Sequence, residues 1–254
     1  MQMTHLGIMS LKRLIRNNRA LALTEFALAF PVLLVTGGYG AELAHLALCH
    51  LSISQYALNL ADNASRVGVV SSNGVSQLRE TDINDVLQAT KVQGVDLKLT
   101  TYGRITLSSL EYVAQDYDKM PLQRIHWQRC IGLKSGLGYD SSFGKTKTTA
   151  GADAPANWVA SSDDQYAGIV SSGMGPAGSA VTAPTDSGVM FVEVNYDYQA
   201  LFGTMFLSPT KIHYIASFIV RDNRDFSQIT NPYPTATASN CSLYTVGPKT
   251  INSY

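Results

Sequence analysis

Charge is nearly missing from one long part of this chain. Between Ala20 and Cys49 only Glu25, Glu42 and His45 interrupt an apolar run. That excludes an ordinary solvated surface helix, since about 20 such residues suffice to cross a hydrocarbon core. Net charge is also missing: 19 basic side chains balance 19 acidic ones, so nothing electrostatic favours nucleic acid. Cysteine is scarce, with three in 254 residues and no Cys-x-x-Cys pair. His5, His45, His50, His126 and His213 show no ligand spacing, so neither a metal nor a cofactor is expected. No nucleophile-elbow motif accompanies the Ser, His and Asp residues, and the chain reads as a non-enzyme. Residues 138–146 (GYDSSFGKT) imitate a phosphate loop, but with one residue too many between the glycines and no flanking strand or helix.

The charge that is present is unevenly placed. Lys12, Arg13, Arg16 and Arg19 cluster at the amino end, with no acid among them before Glu25. By the positive-inside rule residues 1–19 form a cytoplasmic basic leader, 20–49 a transmembrane helix, and the carboxyl-terminal bulk is exported. An ionisable side chain inside a span costs roughly 2.5–3.5 kcal/mol on insertion scales, so Glu25 reads as functional. Glu42 lies further on, about 25 Å along a helix, at the outer headgroup level. Exposure there is a sufficient explanation for it and for His45, with a partner contact as the alternative for Glu42.

Two processing signals compete at this end. Ala41 with Ala44, and Ala44 with Ala47, faintly match small-x-small secretory cleavage sites, but the apolar core is longer than such signals use. Leu46-Ala-Leu-Cys49 hints at a lipoprotein site, yet Leu48 is bulky where a small residue belongs. In an exported part oxidation is permitted. Three cysteines allow at most one intrachain bridge, and Cys130–Cys241 is the natural candidate, although sequence does not supply the Cα separation a bridge demands.

Beyond the span, Ile53, Tyr56, Ala57, Leu60, Ala64 and Val67 continue at helical spacing, which predicts one helix over residues 14–70, kinked at Pro31. A shorter helix is expected at 81–90, capped by Thr81, so that 50–90 forms a helical extension. Val95, Leu97 and Leu99 alternate with polar residues and read as a strand, turning at Tyr102-Gly103 into a second strand over 104–113. Further strands are expected at 125–131, 190–198 and 212–220. Trp127 and Trp158 read as packing or surface residues. Residues 132–188 are rich in Gly, Ser, Ala and Thr and read as a surface loop region, with room for a short helix at 163–170. The tail after Asn231 reads as loosely held except at Cys241. The class is α+β: a long amino-terminal helix, then a mostly antiparallel sheet within 91–254.

Taken together, Ala20, Glu25-Phe26, Pro31, Glu42-Leu43 and Ala64-Ser65-Arg66 resemble the TadE-like family, the pseudopilins of tight-adherence pilus systems. The closing stretch from Val189 to Arg221 also looks like that family's final hairpin. The resemblance covers roughly the first 70 residues and that hairpin. It implies a pilin-like fold and a bacterial inner-membrane location, with the amino end cytoplasmic and the carboxyl-terminal domain periplasmic. It implies cleavage by a prepilin-type peptidase between Ala20 and Leu21, although the family usually has Gly where Ala20 stands. Glu25, beside Phe26, would then be the fifth mature residue and pair with an amino group during assembly. The implied partners are other pseudopilins, pilus-assembly proteins, the peptidase and inner-membrane lipid. The rival readings are an uncleaved signal-anchored periplasmic binding module and an exported enzyme.

Overall fold

A computed structural model of the protein describes residues 18–115, 118–152 and 166–248. The chain is α+β: a long apolar amino-terminal helix, then an antiparallel sheet. Helix α1 (Asn18–Arg66) runs uninterrupted through Pro31. The chain divides into two compact units. One ends at Ala47 and takes in Ala200–Ser208; the other holds Leu48–Gln199 and Pro209–Tyr254. The expected helix start near Leu14 lies outside the described residues.

In the second unit, helix residues from Cys49 onward have one fully buried face: Cys49, Ile53, Ala57, Leu60, Ala61 and Ala64. These positions recur every three or four residues, so they form a single stripe. Burying Ile53 and Leu60 stabilises by about 1.5–3 kcal/mol each. The helix end is closed by a distant side chain. Arg224 donates to the carbonyls of Ala64 (3.2 Å) and Ser65 (3.1 Å), acceptors that the helix end leaves open, and of Val67 (2.9 Å) just beyond it. Gly68 then turns the chain at φ +154°, and a Cβ there would stand 2.5 Å from Ser76 Oγ.

Two short strands, β1 (Val69–Val70) and β2 (Ser76–Gln77), pair before helix α2 (Glu80–Gln93). They break the helical extension expected over 50–90. Thr81 is not the cap: the helix starts one residue earlier, and Asp82 accepts both the Arg79 backbone N–H (3.1 Å) and its guanidinium (2.6 Å). The strand expected at 95–100 is absent. Residues 94–98 form turns, with Lys98 in the left-handed region, followed by the one-turn helix α3 (Leu99–Tyr102).

The sheet has five strands in the order β5-β4-β3-β6-β7, all antiparallel. They are β3 (Gly103–Val113), β4 (Leu122–Ile131), β5 (Ile169–Val170), β6 (Ser187–Asp197) and β7 (Lys211–Ile219). Gly103 thus opens a strand instead of turning between two, and residues 169–170 are strand where a short helix was expected; 153–165 lie outside the description. The helices and the 94–98 turn cover one face: Arg129 reaches Glu80, Tyr214 meets His50 edge-on, and the Tyr196 hydroxyl donates to Leu97 O (2.9 Å). Burial of that phenol raises its pKa. Described residues of the 132–188 region lie on the opposite face, where Met174 and Ala183 pack with Leu110, Ile125, Val189 and Phe191. That region is therefore a layer of the core and not only a surface loop.

The tail is held at several points, contrary to the expectation that only Cys241 would tie it down. Cys130 N–H donates to Ser239 O (2.6 Å), and Gly132 N–H to Thr245 O (2.6 Å). The buried Arg104 guanidinium donates to Cys241 O and Leu243 O, both at 2.8 Å, under the Tyr244 ring. Burial lowers the Arg104 pKa, with nearby Asp140 opposing the shift. Cys130 and Cys241 are joined by a disulfide across a separation of 111 residues.

Candidate functional site

Residues 21–37 are exposed on every side of α1. Leucine, valine and phenylalanine dominate them, and their hydroxyls are turned inward. Thr24 Oγ1 donates to Leu21 O (2.8 Å) and Thr36 Oγ1 to Val32 O (2.9 Å), which hides polarity from the surroundings. Phe26 and Phe30 stack one turn apart with centroids at 5.3 Å. This is one helix long and apolar enough to cross a membrane. Glu25 and Phe26 lie exposed near its start, and Glu25 makes no ion pair among the described residues. Leu21 is also exposed. Arg19 and Ala20 belong to the first helical turn by backbone alone, and Lys12, Arg13 and Arg16 lie outside the described residues.

The exposed stretch ends where a loop meets it. Phe206 packs on Gly38, so that a Cβ at that glycine would stand 3.0 Å from the ring. The same ring meets Tyr39 edge-on at 6.1 Å and Phe202 at 5.5 Å. One helical turn further, Glu42 is fully buried. Its carboxylate accepts the backbone N–H groups of Leu201 (3.3 Å) and Phe202 (3.1 Å). Exposure at a headgroup level therefore does not describe Glu42: the residue fastens the segment between β6 and β7 onto α1. Charge-assisted bonds of this kind are about twice as strong as neutral ones.

The loop was missed by sequence reasoning, although a signal was present. Leu201, Phe202, Met205, Phe206 and Leu207 fall within seven residues, with no charge from Ala200 to Ser208. An apolar run in a connection between strands is unusual, because loops normally face water.

Other polar clusters are structural in geometry. Ser109 Oγ donates to Glu111 Oε1 (2.6 Å), and His126 Nδ1 meets Glu111 Oε2 (2.8 Å), all buried under a register shift in β3–β4. Serine contacts the carboxylate and not the imidazole, so His126 is not placed to take its proton, as a hydrolase would need. Arg129 and Glu80 form a buried pair, as do Arg124 and Asp118. Glu193 accepts the Ser142 N–H (3.0 Å) and the Ser141 hydroxyl, while burial pushes its carboxyl above the ordinary range. Trp127 is buried packing, and Trp158 lies outside the described residues. Among the described residues no group of three or more His, Cys, Asp and Glu could hold a metal ion.

Comparison of the chain with protein-family models, curated proteins and solved structures returned no match.

Proposed function

We propose that this chain is a single-pass, pilin-like structural subunit, a pseudopilin of the tight-adherence type in a bacterial inner membrane. One observation carries the reading: residues 21–37 expose apolar side chains in every direction, with one carboxylate, Glu25, among them. A stem of that kind is stable in lipid or packed among other stems. A carboxylate in lipid is costly unless it is paired or reaches the interface. The new amino terminus of a neighbouring subunit, released by cleavage between Ala20 and Leu21, would supply a matching charge. Lys12, Arg13, Arg16 and Arg19 set the orientation and present the cut site to a prepilin-type peptidase. The remaining partners would be other pseudopilins and pilus-assembly proteins, gathered through the stem.

Ala20 itself favours a second reading, an uncleaved anchor carrying a periplasmic binding module, because the TadE-like pattern usually has Gly there. Intact-mass measurement on protein extracted from membranes separates the two. Mature protein beginning at Leu21 supports the subunit reading; full-length protein supports the anchor. In the cleaved case, Glu25→Ala should insert normally yet lose stem-to-stem crosslinking, and unchanged crosslinking would remove Glu25 from the assembly role.

A further inference from the structure

The segment Ala200–Ser208 is the feature that the subunit reading leaves without a task. It contains no charged residue. Leu201 is 55% exposed, Phe202 45% and Met205 75%, so the apolar surface is presented and not buried. Scattered exposed apolar residues need no explanation, but a contiguous group on one short loop does.

Its position on α1 says what covers it. The loop meets the helix at Gly38, Tyr39 and Glu42. Gly38 lies about 25 Å along the helix from Leu21 at 1.5 Å per residue. A hydrocarbon core is about 30 Å thick, so a stem entering lipid at Leu21 reaches the far boundary of the core where the loop is fastened. Tyrosine is favoured at that depth, and Tyr39 stands there edge-on to Phe206, which in turn meets Phe202.

The backbone chemistry agrees with that depth. Irregular backbone near hydrocarbon is tolerated only when its polar groups are satisfied within the protein. Glu42 does this for Leu201 and Phe202, whose N–H groups lie at the start of the apolar run. A water-facing loop would need no such acceptor, since solvent would serve.

We infer that Ala200–Ser208 inserts its apolar side chains into the leaflet distal to the basic amino end, giving the chain a second lipid contact besides the stem. The occupant of this surface is lipid. Leu201, Phe202 and Met205 supply the buried area, and Glu42 satisfies the two backbone N–H groups at the start of the loop. The inference rests on the reading of α1 as a membrane stem.

The test uses the full chain in phosphatidylcholine–phosphatidylglycerol vesicles, in a Cys49→Ala background that leaves the disulfide in place. An environment-sensitive fluorophore is attached to Met205→Cys, Leu34→Cys or Leu137→Cys. Lipids spin-labelled near the headgroup or deep in the acyl chain act as quenchers, with iodide as the aqueous quencher. The expected result is blue-shifted emission at position 205 with stronger quenching by the shallow label. Position 34 should be quenched more by the deep label, and the fully exposed position 137 by iodide alone. Lipid quenching at 34 with 205 behaving like 137 overturns the loop insertion and leaves the stem standing. Protection of 205 from iodide without lipid quenching means that protein covers the loop, which also overturns it. No lipid quenching at 34 overturns the stem reading and the insertion that rests on it.

Discussion

Removing the Glu42 carboxylate tests the fastening of the loop directly. In Glu42→Ala two backbone N–H groups, at 3.3 and 3.1 Å from the carboxylate, lose their acceptor. Bonds to charged groups contribute roughly 1.5–3 kcal/mol each. The two share one carboxylate, so their sum is taken near the lower end, about 3 kcal/mol. At about 1.4 kcal/mol per factor of ten, that predicts local opening favoured by about two orders of magnitude. The readout is amide hydrogen exchange of Leu201 and Phe202 in detergent-solubilised protein, with β6 amides such as Val192 as reference. Glu42→Gln keeps a neutral acceptor of the same reach and should accelerate exchange by only about tenfold, the difference between charged and neutral bonds. Exchange at both amides within twofold of the parent in Glu42→Ala, with the reference amides unchanged, would show that the carboxylate does not hold the loop.

Gly38→Leu should accelerate the same amides by about fivefold or more, because overpacking against Phe206 costs about 1–3 kcal/mol. Gly37→Leu, with nothing within 4 Å of its Cβ position, should leave them unchanged. Arg224→Ala strips three carbonyls of their donor and should cost about 3 kcal/mol, a fall in Tm of roughly 6–12 °C by thermal melting. Arg224→Lys should recover less than half, since one ammonium lacks the fork that reaches all three. Glu193 has its folded pKa raised, first by burial, against the Ser141 and Ser142 bonds that lower it. The folded state therefore holds the proton more tightly, and this residue's contribution is lost as pH rises from the unfolded carboxylate range through the raised value. Glu193→Gln should flatten that part of the Tm–pH curve and gain most over the parent near neutrality; parallel curves would refute it.

The parts legible in the sequence are those in which one period dominates. The stripe from Ile53 to Ala64 follows from a single buried face. Strands β6 and β7 were legible by their alternation, although β6 is buried on both faces. Alternation misled at 95–100, where Val95 is 65% exposed and only Leu99 of the three apolar residues is buried. Lys98 at φ +48° turns the backbone there, and no side-chain pattern announces that. Buried charges were illegible for a related reason. Arg104, Arg129 and Glu193 stand on strands where polar residues suggest a wet face, yet the sheet is covered on both sides. Arg129 finds its partner on α2, and Glu193 finds its own in the 132–188 layer. Those pairings join elements far apart in sequence, so no local signal carries them. The described residues within 132–188 pack through isolated side chains such as Met174 and Ala183, without periodicity.

The two carboxylates of the stem separate on the same physical ground. Both interrupt an apolar helix, and each carries a desolvation cost that a partner must offset. Glu42 has that partner in its own chain: two amides of a loop some 160 residues away in sequence. Its presence in an apolar run follows from holding irregular backbone beside hydrophobic side chains. Glu25 stands exposed among Leu21, Leu23, Phe26 and Leu28, without an ion pair among the described residues. On the proposed membrane reading, what offsets its cost is water and headgroups at the near boundary or a group on another chain. The depth of Glu25 decides between them, since a carboxylate within reach of headgroups is satisfied without assembly. On the membrane reading, with the stem entering lipid at Leu21 and the loop fastened at the far boundary, Glu25 lies four residues in, about 6 Å inside the core. A glutamate side chain covers most of that distance, so headgroups and water offset most of the cost and a charged group on a neighbouring stem supplies the remainder.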